Sequence, residues 1–333
     1  MSLISIKEKL VDLIKTTKVG HLFLVGVKRL FGRNHNPNIQ FPELISIEVS
    51  SICNLSCCHC PPHMKEYKSQ TRKHAHINVE FFNKLMDEID SAGECYIALH
   101  KDGEPLLHPE INIILKRVKH NREHNVYLTT NAQNLDSEMS ALLIASRINV
   151  VNFSIGASSK EFYKKVRGRG YSDVVKNIQN FLANVQTAEW KPKVSVQIIK
   201  LPEFSEMNSE IENFTKFWQD YDVSISVWDK LNWGVLETEI VKSYRYPCYS
   251  LWHSFTINSN GVVTACCMDW KQELPIGDVN QQSIEEIWLG EKLNELRAIH
   301  IKGKEGELSA CATCNYWKWQ PMLIKYPVHK RNF

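Results

Sequence analysis

Cys53-Asn54-Leu55-Ser56-Cys57-Cys58-His59-Cys60 directly follows the strand-like run Leu44-Ile45-Ser46-Ile47-Glu48-Val49-Ser50. Cysteines 53, 57 and 60 fall as C-x3-C-x2-C. A loop leaving a strand can fold three thiolates toward one point. Three are one short of the four protein ligands of a structural zinc site, unless His59 is the fourth. They suit a cubane iron–sulfur cluster with one iron left open for another ligand.

The octet opens an alternating series. Strand-like runs at 44–50, 95–100, 125–131, 149–155, 193–200 and 222–228 are separated by helical stretches at 79–90, 110–120, 137–146, 160–166 with 173–186, and 208–219. Such β-then-α units predict an α/β fold, a parallel sheet with helices outside. Right-handed crossovers curl the series into a doubly wound sheet or a barrel, and sequence alone does not choose. After residue 240 the character changes to short apolar runs and five further cysteines. Phe255 to Ala265 reads as a hairpin around Asn260-Gly261. Ser283 and Glu286 form a capping box that opens a helix. The chain therefore divides into an amphipathic helical segment over 1–40, a main domain over 41–240 and a small C-terminal domain over 241–333. The first segment reads as a helix packed on the main domain, with a membrane-surface or partner-docking role as the alternative.

Composition narrows the function classes. An apolar fraction of 43% over 333 residues supplies a sizeable core. A net charge of +3 with interleaved signs gives no case for nucleic-acid binding. No secretory signal and no long apolar span are read, so a cytoplasmic protein is expected. Nine of the ten cysteines lie in two groups, 53–60 and 248–314, as metal ligands or redox groups do in a reducing compartment.

A second motif, Lys101-Asp102-Gly103-Glu104-Pro105, follows the second strand. Together with the cysteine loop it resembles the radical S-adenosylmethionine (SAM) superfamily. Asp102 stands where the family's G-G-E-P motif more often has glycine, and His59 where an aromatic residue precedes the third cysteine. The resemblance implies a partial (β/α)6 barrel of parallel strands with a small C-terminal iron–sulfur domain. It implies that Cys53, Cys57 and Cys60 hold a [4Fe–4S] cluster whose open iron is chelated by SAM. Gly103, Glu104 and Pro105 are then implied to hold the SAM amino group. Thr130, Asn131, Ser154, Arg167 and Gln197 match positions that contact SAM or face the barrel interior in relatives, with Arg167 suited to the SAM carboxylate.

The C-terminal pattern Cys248-x12-Gly261-x4-Cys266, with Cys311 and Cys314 later, resembles SPASM domains. Four thiolates suit a second, fully ligated [4Fe–4S] cluster, or a zinc ribbon in the alternative. Cys267 is either a packing residue or a thiol that donates hydrogen to a substrate radical. The implied reaction is one-electron cleavage of SAM to a 5′-deoxyadenosyl radical and hydrogen abstraction from a substrate C–H, with flavodoxin or ferredoxin as electron donor. Oxidation or epimerisation of a sugar, aminocyclitol or nucleotide-linked small molecule is expected first, and peptide or protein modification second. A zinc-stabilised binding protein without catalysis is the third reading.

Overall fold

The computed structural model describes residues 40–64, 74–120, 124–233 and 247–318. The segment expected to be helical before residue 40 lies outside the described residues. Six parallel strands follow the expected runs: β1 (Leu44–Ile47), β2 (Tyr96–Ala98), β3 (Asn125–Thr130), β4 (Val150–Ser154), β5 (Lys193–Lys200) and β6 (Ser224–Asp229). The helices between them are α1 (Val79–Ala92), α2 (Ile111–Arg117), α3 (Ser137–Ala145), α4 (Lys160–Val166), α5 (Tyr171–Thr187) and α6 (Met207–Trp218). Asn78, Asp136 and Ser159 cap α1, α3 and α4 by accepting from the N–H of Phe81, Met139 and Phe162.

The strand order decides between the two topologies left open. It runs β6-β5-β4-β3-β2-β1, so every crossover steps to the adjacent strand in the same direction. A doubly wound sheet needs a reversal of that order. Without one, the sheet curls into a partial barrel.

Alternation along the strands separates an outer from an inner face. Ile45, Ile97, Val126, Leu128, Val151, Phe153, Val194, Val196 and Ile198 are buried in the apolar core that contains the helices. The opposite face carries Ser46, Tyr127, Thr129, Asn152, Ser195 and Gln197. Parallel strands covered on both faces normally read as continuous apolar runs. A polar inner face marks a surface built to contact something other than core.

The C-terminal region continues the same sheet. The expected hairpin forms as β7 (Ser254–Ile257) and β8 (Val262–Thr264), followed by β9 (Pro275–Asp278). β7 lies parallel to β1, with Ile45 opposite Phe255 and Ile47 opposite Ile257. Helices α7 (Ser250–His253), α8 (Ile284–Leu289), α9 (Glu291–Ile301) and α10 (Ser309–Ala312) complete it. Ser283 and Glu286 form the expected capping box of α8. Ile287 and Trp288 belong to the same core as Ile45 and Phe153. Among the described residues no helix is long and apolar enough to cross a membrane.

Candidate active site

The C-x3-C-x2-C loop leaves β1 at the C-terminal end of the strands, where barrel sites form. Backbone hydrogen bonds tie it to the loop after β2 and to the end of α4. Glu104 N–H donates to Ile52 O at 2.8 Å, and Cys58 N–H donates to Val166 O at 3.0 Å. A Cβ on Gly103 would lie 2.2 Å from Ser50 O and 2.7 Å from Ser51 C, so only glycine lets the two loops meet. From β3, Asn131 Nδ2 donates to Asn54 Oδ1 at 2.7 Å and approaches Cys53 Sγ at 3.9 Å.

Three thiols are thus gathered by four segments. Burial, then Cys57 and Asp102, push the Cys60 thiol well up. Burial also raises the Cys53 thiol, with Glu104 and Cys57 adding to it. Crowded thiolates away from water repel one another, and a cationic iron–sulfur core relieves that repulsion. Among the described residues no three His, Cys, Asp or Glu side chains converge as one metal ion requires. A cubane spreads its ligand sulfurs over different irons.

The other expected residues surround this loop. Glu104 is buried, and its carboxylate already has three donors. Thr130 Oγ1 and Leu106 N–H reach Oε1 at 2.7 and 3.1 Å, and Asn131 N–H reaches Oε2 at 2.7 Å. Glu104 thereby shapes the ends of β2 and β3 itself, leaving Oε2 room for one more donor. Pro105 starts the short turn Pro105–Leu107 behind it. Arg167 follows α4 and is 5% exposed. Its Nη2 donates to Ser154 Oγ at 2.5 Å, and its Nε is buried without a hydrogen-bond partner. A Cβ on Gly156 would come within 2.7 Å of that Nε. A buried guanidinium with donor capacity left over suits a carboxylate. Gln197 accepts from Asn152 Nδ2 at 2.8 Å on the inner face. The donor set fits a cluster and SAM: three thiols, one carboxylate with remaining acceptor capacity, and one arginine.

Residues not singled out in the sequence complete the inner face. Asn152 Nδ2 also reaches Thr129 Oγ1 at 3.4 Å, and its Oδ1 accepts from Ser195 Oγ at 2.7 Å. One amide inside the apolar run Val150-Val151-Asn152-Phe153 was the available signal. His100 continues the inward parity of Tyr96 and Ala98, and its ring lies 5.1 Å from that of Tyr127. Its Nδ1 is buried without a hydrogen-bond partner, and burial pushes the imidazole down to about 4.

The second cysteine group forms at the β7–β8 hairpin and α10. Burial pushes the Cys266 thiol well up, and Cys267, Cys248, Cys311 and Cys314 add to it, so all five thiols share one neighbourhood. Cys248 N–H donates to His300 Nδ1 at 3.3 Å. Tyr316 N–H donates to Cys314 Sγ at 3.4 Å, and its phenol hydrogen-bonds Cys267. Cys95, the tenth cysteine, lies apart from both groups, 3.8 Å from His124 Nδ1.

A family model described as the radical SAM superfamily matches residues 47–214. The chain belongs to the radical SAM superfamily. A second model, an iron–sulfur cluster-binding domain named SPASM, matches residues 248–315. The family's [4Fe–4S] cluster and SAM, and an auxiliary iron–sulfur cluster, are the cofactors of this superfamily member. Among curated proteins the chain is 30% identical over 151 residues to GTP 3′,8-cyclase of Desulforamulus reducens, covering 45% of this chain and 44% of that one. It thus spans about half or less of that relative's length. It is 21% identical over 278 residues to the S-adenosyl-L-methionine-dependent 2-deoxy-scyllo-inosamine dehydrogenase of Niallia circulans, covering 82% of this chain and 92% of that one. Among solved structures, BtrN in complex with AdoMet and 2-DOIA superposes with TM-score 0.56 at 17% identity over 82% of this chain and 92% of that one. Streptococcus suis SuiB bound to the precursor peptide SuiA superposes with TM-score 0.57 at 15% identity over 79% and 68%.

Proposed function

We propose that this radical SAM protein oxidises or epimerises a hydroxylated small molecule, a sugar, aminocyclitol or nucleotide-linked sugar, bound inside the partial barrel. The observation that carries the reading is the row of hydroxyls and amides on the inner face: Thr129, Asn152, Ser195 and Gln197, joined by hydrogen bonds. A polyhydroxylated ring exchanges such bonds for its own at little cost, whereas an apolar substrate would strand them. The similarity to a 2-deoxy-scyllo-inosamine dehydrogenase over 82% of this chain supports the same reading.

Cys53, Cys57 and Cys60 hold the first cluster, and Cys248, Cys266, Cys311 and Cys314 the second. Arg167 pairs with the SAM carboxylate. Gly103, Glu104 and Pro105, with Thr130 and Asn131, form the cradle of its amino group, and Ser154 orients Arg167. When bound, the cluster and SAM supply a 5′-deoxyadenosyl radical. The residues around it hold the substrate C–H in place and keep stray hydrogen donors out. In an oxidation, the neutral His100 imidazole would accept the hydroxyl proton, and a cluster held by Cys248, Cys266, Cys311 and Cys314 would supply the one-electron acceptor. In an epimerisation, Cys267 returns a hydrogen atom instead.

Anaerobic reconstitution tests this. The protein should hold about eight irons, as two cubanes require, and make 5′-deoxyadenosine from SAM and dithionite. Ring-deuterated 2-deoxy-scyllo-inosamine and related cyclitols and sugars should pass deuterium into that product. Deuterium arriving from peptide substrates alone would move the protein to the peptide modifiers, and a colourless zinc protein would end the enzyme reading. Solvent deuterium in product, lost in Cys267→Ser, identifies epimerisation.

A further inference from the structure

Register across the parallel sheet stacks the inner face into levels. Thr129 of β3 stands opposite Asn152 of β4, and Asn152 opposite Ser195 of β5. One level nearer the C-terminal ends of the strands, Ser154 stands opposite Gln197. Ser154 Oγ accepts from Arg167 Nη2 at 2.5 Å. One level the other way, Tyr127 stands between Ala98 of β2 and Val150 of β4. Each level is two residues deep, about 6.6 Å of strand. The polar row therefore has Ser154 and its arginine above it and Tyr127 below it.

This part of the interior is open. Tyr127, Thr129, Val150, Ser195 and Gln197 all keep accessible surface. Ile97, Val126, Leu128, Val151 and Val196, on the outer face of the same strands, are at most 1% exposed. A ring needed only to fill the core would lie on that outer face, where Phe153 meets Phe181. Tyr127 lies on the other. His100 steadies its ring from one side, with centroids 5.1 Å apart and planes tilted by 59°. Ala98, its neighbour on β2, is too small to cover it. His100 itself is two residues beyond Ala98, at the level of Thr129.

We propose that Tyr127 is the floor of the substrate site and selects a saturated, hydroxylated six-membered ring. When the hydroxyls of such a ring are equatorial, its polar groups lie around the edge and its axial C–H bonds point to the two faces. The edge suits Thr129, Asn152 and Ser195, which exchange hydrogen bonds with hydroxyls at little cost. A C–H face suits the negative face of an aromatic ring, which gives contact area without a hydrogen bond to satisfy. The opposite C–H face is then turned toward the level of Ser154 and Arg167. An acyclic polyol carries the same hydroxyls but no flat C–H face to lay on the tyrosine. Tyr127 in this role presupposes the hydroxylated small-molecule substrate proposed above.

Binding tests this without chemistry. Reconstituted protein with SAM and no reductant is titrated calorimetrically, under anaerobic conditions, with 2-deoxy-scyllo-inosamine, scyllo-inositol, glucosamine and the acyclic hexitol glucitol. Parent, Tyr127→Phe and Tyr127→Leu are compared. The parent should bind a ring compound and bind glucitol more weakly. Tyr127→Phe keeps the ring face and should stay within about threefold of the parent. Tyr127→Leu should bind the ring compound about tenfold more weakly and lose the preference over glucitol. Iron content and SAM affinity are measured on the same samples. A parent that binds glucitol as tightly as the rings, or an unchanged preference in Tyr127→Leu, overturns the proposal. So does an equal loss in Tyr127→Phe, which would put the contact on the hydroxyl. Loss of iron or SAM binding in Tyr127→Leu would make the ring a scaffold and overturn it too. A parent that binds none of these compounds would instead remove the small-molecule reading, and the floor with it.

Discussion

Cys57 and Cys311 belong to different groups, and replacing each by alanine separates their roles. Cys57→Ala should lower reconstituted iron from about eight to about four per chain and abolish 5′-deoxyadenosine formation. Cys311→Ala should lose a similar amount of iron, keep part of the SAM cleavage and lose product. Iron assay and chromatography decide, and SAM cleavage at parental rate in both variants would refute the ligand assignment. His100 offers a test that needs no cofactor. Burial holds its imidazole at about 4 in the folded chain, against about 6.5 when unfolded. Above pH 6.5 both states are neutral and the group is silent. Between about 6.5 and 4 the unfolded chain binds a proton that the folded chain refuses, so stability falls as pH falls. His100→Gln should flatten that fall in urea midpoints, and equal slopes in parent and variant would exclude it. The thiols were legible because their spacing is local. His100 and Asn152 were not, because only strand pairing reveals that their side of the sheet lines a site.

At the scale of elements, the loops carry more constraint than the helices. Gly103→Ala puts a methyl carbon 2.2 Å from Ser50 O, a backbone clash that side-chain rotation cannot relieve. The second-strand loop must then leave the first cysteine loop, at a cost of roughly 1–3 kcal/mol. SAM affinity should drop at least tenfold by equilibrium binding to reconstituted protein, and parental affinity would show that the contact is slack. The cap of α8 is worth less. Ser283→Ala removes the hydroxyl that accepts from Glu286 N–H and should cost about 1 kcal/mol, read as a shifted denaturation midpoint with unchanged slope. Capping boxes are legible because partner residues stand three apart in sequence. The Gly103 contact joins residues fifty apart, and the glycine and proline beside it mark only a turn.

At the scale of the whole molecule, one core runs from the barrel helices to Phe255, Ile287 and Trp288, and β7 covers the β1 edge. A chain cut after residue 246 should expose that edge and part of the core, and aggregate. The intact chain should unfold in one cooperative transition. A soluble, folded 1–246 fragment would contradict this. The C-terminal hairpin was readable from Asn260-Gly261, because turn chemistry is local. Its docking beside β1 was not, because strand pairing across two hundred residues leaves no local trace. By itself, the sequence determined the alternating β and α units, the two cysteine groups and the membership that their spacings carry, since periodicity and ligand spacing are properties of neighbouring residues. Tertiary structure alone decided that the strand order never reverses and that the sheet continues into the C-terminal region. It also buried the ion pair of Lys101 with Asp102, the motif's one irregular position. These outcomes depend on long-range packing and on the cost of removing charge from water, which act only once the chain has closed.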